Sequence, residues 1–281
     1  MLFIPTEVCA ASSSLRSTAH RNQSRNLNET QPLPDWFCDF FGGMIDEERC
    51  QDSNTENNDN NSTVKCPAIF PLSNETGVFD MSNFTEKSWF VQKQQIDGFQ
   101  TSVEDDFYCL VWTYTEREND NASFFDFDNY GTTGGVEGPQ QEYDSGGTKW
   151  EQWCAGQDEF GGGLVRISPC LLRSFLVRTG FPQWVLAVAP DYSWAIVAGG
   201  EPDELQQTEP TPLCTTRTNV SKDVLADSSG SGLWLLTRDR MASNDTIAEM
   251  ENVLLDMGVY TEKLLPVVHN GCTYKNATLR E

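Results

Sequence analysis

The chain has 281 residues, with 19 Lys and Arg against 42 Asp and Glu, a formal net charge of −23 and a hydrophobic fraction of 38%. That length admits one large or two small domains with a sizeable core. So negative a charge argues against binding nucleic acid, whose phosphates are neutralised by Lys and Arg, and against docking on an anionic leaflet. No apolar run approaches the ~18–20 residues of a membrane-spanning helix.

Residues 1–65 are rich in Ser, Asn, Gln, Thr, Glu and Asp. Such a segment cannot bury enough apolar surface to offset its ordering entropy, so it reads as a largely disordered extension. Its exception is the apolar knot Trp36-Phe37-Cys38-Asp39-Phe40-Phe41. Met1-Leu-Phe-Ile-Pro5 lacks a basic region and the apolar stretch of about 7–15 residues that a signal peptide needs. The expectation is that the signal begins upstream, with Val8-Cys9-Ala10 as its tail.

From residue 66 to 281 the texture is that of one all-β domain: short β-like runs separated by Gly, Asp, Asn and Pro clusters. The predicted strands are Trp89–Ile96, Phe107–Thr115, Ser123–Phe127, Lys149–Trp153, Leu164–Ile167, Trp184–Val188, Trp194–Val197 and Leu233–Thr237. Segments 128–147 and 199–232 read as long loops, and Ser228–Gly232 as a flexible linker. In Phe107–Thr115 one parity carries Tyr108, Leu110, Trp112 and Tyr114, while the other is smaller, which suits a curved wall around an interior. A single helix is predicted near 244–257. Ile247, Met250, Leu254 and Met257 form its stripe, Thr246-Ile-Ala-Glu249 a capping box and Gly258 a left-handed stop.

Two features set the compartment. The nine cysteines are dispersed, with no CxxC, which favours disulfides over zinc or redox motifs. Sequons N-x-[ST] begin at Asn22, Asn28, Asn60, Asn61, Asn74, Asn83, Asn121, Asn219, Asn244 and Asn276. Chance would give about three from this composition, so a secreted or luminal glycoprotein is expected.

Chemistry finds little purchase. Asp126-x-Asp128-x-Tyr130-Gly131-x5-Glu137 nearly matches a calcium loop, but Tyr130 spoils the fifth position and no helices flank it; an acidic hairpin loop is the reading preferred. His20 and His269 are the only histidines, too few for a triad or a multi-His metal site. Neither G-x-S-x-G nor a P-loop occurs, and no cofactor or metal is expected. The trio Glu104-Asp105-Asp106 reads as a solvated loop face.

Four segments, in order, carry a resemblance. Phe79-Asp80-Met-Ser-Asn-Phe84 through Trp89-Phe90 resembles the opening helical turn and first strand of the lipocalins, with Lys87 where the family has glycine. Trp184 to Val197, with Pro190-Asp191-Tyr192 at its centre, is similar to that family's Thr-Asp-Tyr turn between two strands. Gly232-Leu-Trp234-Leu-Leu-Thr-Arg238 resembles its last-strand motif, and Leu254 to Leu264 the end of its helix and the strand after it. The resemblance implies an eight-stranded up-and-down antiparallel barrel with a C-terminal helix packed outside. It implies Trp89 at the closed end beneath Arg238, and disulfides Cys109–Cys272 and Cys66–Cys214; Cys154–Cys170 and Cys38–Cys50 then remain as neighbours, with Cys9 odd.

If Cys109 faces outward to reach the tail, Leu110, Trp112 and Tyr114 face inward, and parity with Arg238 turns Trp234 and Leu236 inward as well. These five are the candidate wall for a small hydrophobic ligand, such as a lipid, retinoid, carotenoid or tetrapyrrole, or else they fill the core. Two rivals stand beside the carrier. One is a lipocalin-type enzyme like the xanthophyll de-epoxidases, using Asp105 or Asp106; the other is a filled barrel whose surface binds a protein.

Overall fold

The structure is a computed structural model, and it describes residues 64–73, 79–95, 107–117, 124–140, 144–145, 148–149, 152–157, 161–170, 180–217 and 230–281. Of the expected extension 1–65, all but Val64 and Lys65 lie outside these residues, as do Cys9 and the Cys38–Cys50 pair.

A short helix α1 (Met81–Thr85) opens the fold, its N-cap Asp80 accepting from the Ser82 N–H at 2.8 Å. Strands follow as β1 (Trp89–Gln95), β2 (Phe107–Glu116), β3 (Phe124–Thr132), the small hairpin β4 (Asp144–Ser145) and β5 (Thr148–Lys149), β6 (Trp153–Gln157), β7 (Leu164–Pro169), β8 (Phe181–Val188) and β9 (Trp194–Ala198). A second hairpin, β10 (Glu204–Gln207) with β11 (Leu213–Thr215), precedes β12 (Leu233–Thr237), helix α2 (Asn244–Asp256) and β13 (Leu265–Val268).

The barrel closes in the order β1-β12-β9-β8-β7-β6-β3-β2-β13, with β1 and β2 also paired directly. Eight strands run antiparallel as the motifs imply. The ninth, β13, is parallel to β2 and antiparallel to β1, and fills the seam where those two diverge: β1 meets β2 at Trp89–Trp112 but meets β13 at Lys93–Pro266. The all-β barrel with its helix outside is therefore lipocalin-like, with nine wall strands in place of eight.

Strand β12 explains its own composition. All five of its residues are buried because both faces are covered: Trp234 and Leu236 look into the barrel, and Leu233 and Leu235 meet α2 through Met250 and Leu254. A strand buried on both faces reads as a continuous apolar run, as Leu-Trp-Leu-Leu does. Gly258, at φ +82, ends α2 in the left-handed region, and a Cβ there would sit 2.6 Å from the Pro67 ring.

Several expectations are corrected. The N-cap of α2 is Ser243, whose Oγ accepts from the Thr246 N–H at 3.1 Å; the helix starts one turn before the expected capping box. Strand β3 continues to Thr132, because Tyr130 packs outward against Phe90, Cys109 and Tyr274, so the 128–147 loop begins later. Its extended backbone puts Asp126, Asp128 and Tyr130 of the calcium-like run on a strand, and Asp126 pairs with Arg117 at 3.3 Å. The run Lys149–Trp153 is divided between β5 and β6, and β6 extends through Ala155-Gly156, held by ladders to β3 and β7. The expected 199–232 loop contains the β10–β11 hairpin. The described end of the expected linker, Gly230 to Gly232, is tied by Gly230 N–H to the Gly199 carbonyl at 2.9 Å.

Three disulfides are present among the described residues: Cys66–Cys214 and Cys109–Cys272, as the resemblance implied, and Cys154–Cys170, the pairing expected of the remaining neighbours. The first two join segments 148 and 163 residues apart in the chain, tying the lead-in to the β10–β11 hairpin and the tail to β2, while the third staples the neighbouring strand β6 to the end of β7.

Candidate functional site

One end of the barrel is sealed. The Arg238 guanidinium lies 3.4 Å over the Trp89 ring, an arrangement worth about 0.5–2 kcal/mol. It donates to the carbonyls of Asn83 (2.8 Å), Phe84 (3.0 Å), Ser88 (3.3 Å), Tyr192 (3.3 Å) and Lys87. Burial lowers its pKa to about 10, with Glu86 opposing that shift. Trp89 Nε1–H donates to the Phe84 carbonyl at 2.8 Å. At the β8–β9 turn Asp191 accepts from the Ser193 N–H at 3.0 Å, which helps hold its carboxyl below the usual range, and the Tyr192 hydroxyl accepts from the Asp80 N–H at 2.5 Å. All four motif residues, Trp89, Asp191, Tyr192 and Arg238, thus belong to the seal.

The tail completes it, a contribution that strand patterning did not reveal. Ser88 and Arg280 exchange hydrogen bonds at 2.9 and 2.8 Å, and Arg280 Nη1 donates to the carbonyls of Thr85 and Tyr114 at 2.9 and 2.8 Å. Thr113 donates to the Thr278 carbonyl at 2.7 Å.

Above the seal the interior is aromatic and aliphatic. The five candidate wall residues, Leu110, Trp112, Tyr114, Trp234 and Leu236, all face inward and are buried. Trp112 meets Trp234 at 5.1 Å and Phe127 at 5.7 Å between ring centroids; Tyr114 meets Phe127 at 5.1 Å and Phe84 at 5.6 Å. Gly232, at φ +91, lets the Trp234 ring fold back on the strand: a Cβ there would lie 2.3 Å from it.

Three amides face the same space. Tyr114 Oη donates to Gln183 Oε1 at 2.8 Å, and burial drives the phenol pKa far above its ordinary value, Arg238 opposing. Gln94 stands opposite Trp234, and Asn129 opposite Trp112. Directly paired residues share a face, so both amides point inward with the indoles. Gln94 is 2% exposed, and its Nε2 has no hydrogen-bond partner; neither has Asn129 Oδ1. Sequence reasoning missed these three. A bulge between Val91 and Lys93 inverts the parity of β1, sending Lys93 outward to Glu251 at 2.6 Å and Gln94 inward. The available signal was Lys93 itself, which strict alternation from Trp89 would have buried in the barrel.

A concavity of about 530 Å³ lies outside the barrel between the β8–β9 turn and the start of α2. Asp191, Asp239, Glu249 and Trp194 line it, and none of the five wall residues does. The Asn83, Asn244 and Asn276 side chains are exposed, whereas Asn60, Asn61, Asn74, Asn121 and Asn219 lie outside the described residues, as do Asp105 and Asp106. Among the described residues no helix is long and apolar enough to cross a membrane.

No protein-family model matches the chain, and no curated protein does. Solved structures do. A major allergen of cockroaches, Per a 4, is 13% identical with a TM-score of 0.43, the match covering 76% of this chain and 98% of that one. Lobster apocrustacyanin A1 is 12% identical with a TM-score of 0.45, over 76% of this chain and 97% of the other. Insecticyanin from the tobacco hornworm Manduca sexta is 16% identical with a TM-score of 0.41, over 72% and 85%.

Proposed function

We propose that the protein binds a small hydrophobic ligand inside the barrel, with Leu110, Trp112, Tyr114, Trp234 and Leu236 as wall. The observation that carries this reading is the asymmetry of the barrel. One end is sealed by Arg238, Trp89 and Arg280, while β1, β3, β7 and β9 end, and β2, β8 and β12 begin, at the other. A cup with an apolar lining and a few polar groups is the usual form of a small-molecule site. Secretion through an oxidising compartment, with residues 1–65 as an extension ahead of the barrel, is part of the same proposal; three disulfides and three exposed sequon asparagines support it.

The test is to produce the protein in a eukaryotic host, expose it to a lipid extract of its source and identify what organic solvent releases. A stoichiometric lipid or pigment is expected. Trp112→Ala and Trp234→Ala should each weaken its binding tenfold or more, while Trp184→Phe, on the outer face, leaves it unchanged. An empty extract, with tryptophan fluorescence unmoved by a ligand panel, would remove the carrier reading. It would favour a filled barrel that binds a protein by its surface, which the ring-to-ring contacts across the interior already support.

A further inference from the structure

Resting on that reading, we propose that the ligand is an uncharged, mainly apolar molecule bearing a hydroxyl, carbonyl or amide group, and that Gln94 and Asn129 bind this group. Gln94 is almost fully buried with Nε2 unpaired, and Asn129 Oδ1 is unpaired too. Buried polar groups are nearly always partnered, so two orphans on one interior face mark where a partner is missing. They flank the Trp112–Trp234 contact, Gln94 as the cross-strand neighbour of Trp234 and Asn129 as that of Trp112. Gln94 Nε2 offers an unpaired donor and Asn129 Oδ1 an unpaired acceptor, the complements of a carbonyl and of a hydroxyl or amide N–H.

Among the described residues an ionised head group has no buried counterpart. The buried polar residues described include Gln94, Gln183, Ser88 and His269 but no Asp, Glu, Lys or Arg. Either orientation of an amide presents a dipole without net charge, so the desolvation of a carboxylate would go uncompensated. Arg238, at the sealed end, is already engaged by five carbonyls and the Trp89 ring, and Arg280 by the carbonyls of Thr85 and Tyr114. The net charge of −23 further opposes the entry of an anion.

Three probes of one chain length separate the cases: 1-hexadecanol, hexadecanamide and palmitate, titrated at pH 7.5 into the full-length protein by tryptophan fluorescence and calorimetry. The alcohol and the amide should bind at least tenfold tighter than palmitate. Gln94→Met, which removes the amide at near-constant volume, should reduce that ratio about tenfold without weakening palmitate. Asn129→Leu gives an independent removal if the first variant does not fold. Palmitate binding as tightly as the neutral probes, or a ratio unmoved by both variants, overturns the inference and leaves the carrier reading standing. If none of the three binds, the inference falls, and the solvent extract decides the carrier reading.

Discussion

His269 joins the barrel wall to the tail. Its Nε2 faces the Val91 carbonyl at 2.7 Å and therefore donates, so Nδ1 accepts from the Tyr274 hydroxyl at 2.6 Å. Burial lowers its pKa, only partly offset by the bond to Val91. The neutral ring is thus favoured in the folded state, and its contribution is complete above the unfolded value of about 6.5 and declines as pH falls toward the depressed folded one. Urea midpoints should fall between pH 7.5 and 5, and His269→Gln, which can make both bonds without titrating, should flatten that slope. Arg238 supports a second residue-level expectation. Arg238→Lys keeps the charge but loses the planar fork that reaches five carbonyls, so it should destabilise nearly as much as Arg238→Ala, about 2–4 kcal/mol by denaturant titration.

At the scale of elements, α2 tests where its cap lies. Because Ser243 Oγ takes the Thr246 N–H, Ser243→Ala should cost about 1 kcal/mol, read from the same titrations. Such details separate what the sequence made legible from what it hid. Strands with one or two apolar faces were legible, since period-two alternation in β2 from Cys109 to Tyr114 and the unbroken apolar run of β12 follow directly from what covers them; a register shift between Tyr108 and Val111 puts Tyr108 with the outer cluster, against the inward parity expected of it. Two of the disulfides and the Arg238–Trp89 seal followed from the motifs in order, Cys154–Cys170 from what those left over, and the inward set of wall residues from strand parity. Bulges did not: one extra residue after Val91, hinted at only by the lysine that follows it, decides that Gln94 and not Lys93 faces the barrel interior. The β10–β11 hairpin was hidden for another reason, since Glu204–Gln207 is nearly all polar and is held by Cys66–Cys214 and the bond from Cys214 N–H to the Gly258 carbonyl, not by its own pattern.

For the molecule as a whole, the charge of −23 is a self-repulsion that folding must overcome. Raising salt from about 0.01 to 0.15 M shortens the screening length from roughly 30 to 8 Å. The melting temperature should therefore rise, opposite to what a fold held by surface ion pairs would do; calorimetry at the two salt concentrations decides it. The Lys93–Glu251 and Arg240–Glu281 pairs are too exposed to reverse that sign.

The seam of the barrel also sets a clock. Strand β1 finds its partner in β12, from Trp89–Gln95 to Leu233–Thr237, roughly 140 residues later in the chain. At a translation rate of ~5–20 residues per second, its hydrogen-bonding edge waits on the order of 7–30 s before that partner leaves the ribosome. The wall cannot close until β12 has emerged, and the nascent apolar segment around Trp89-Phe90-Val91 needs shielding until then.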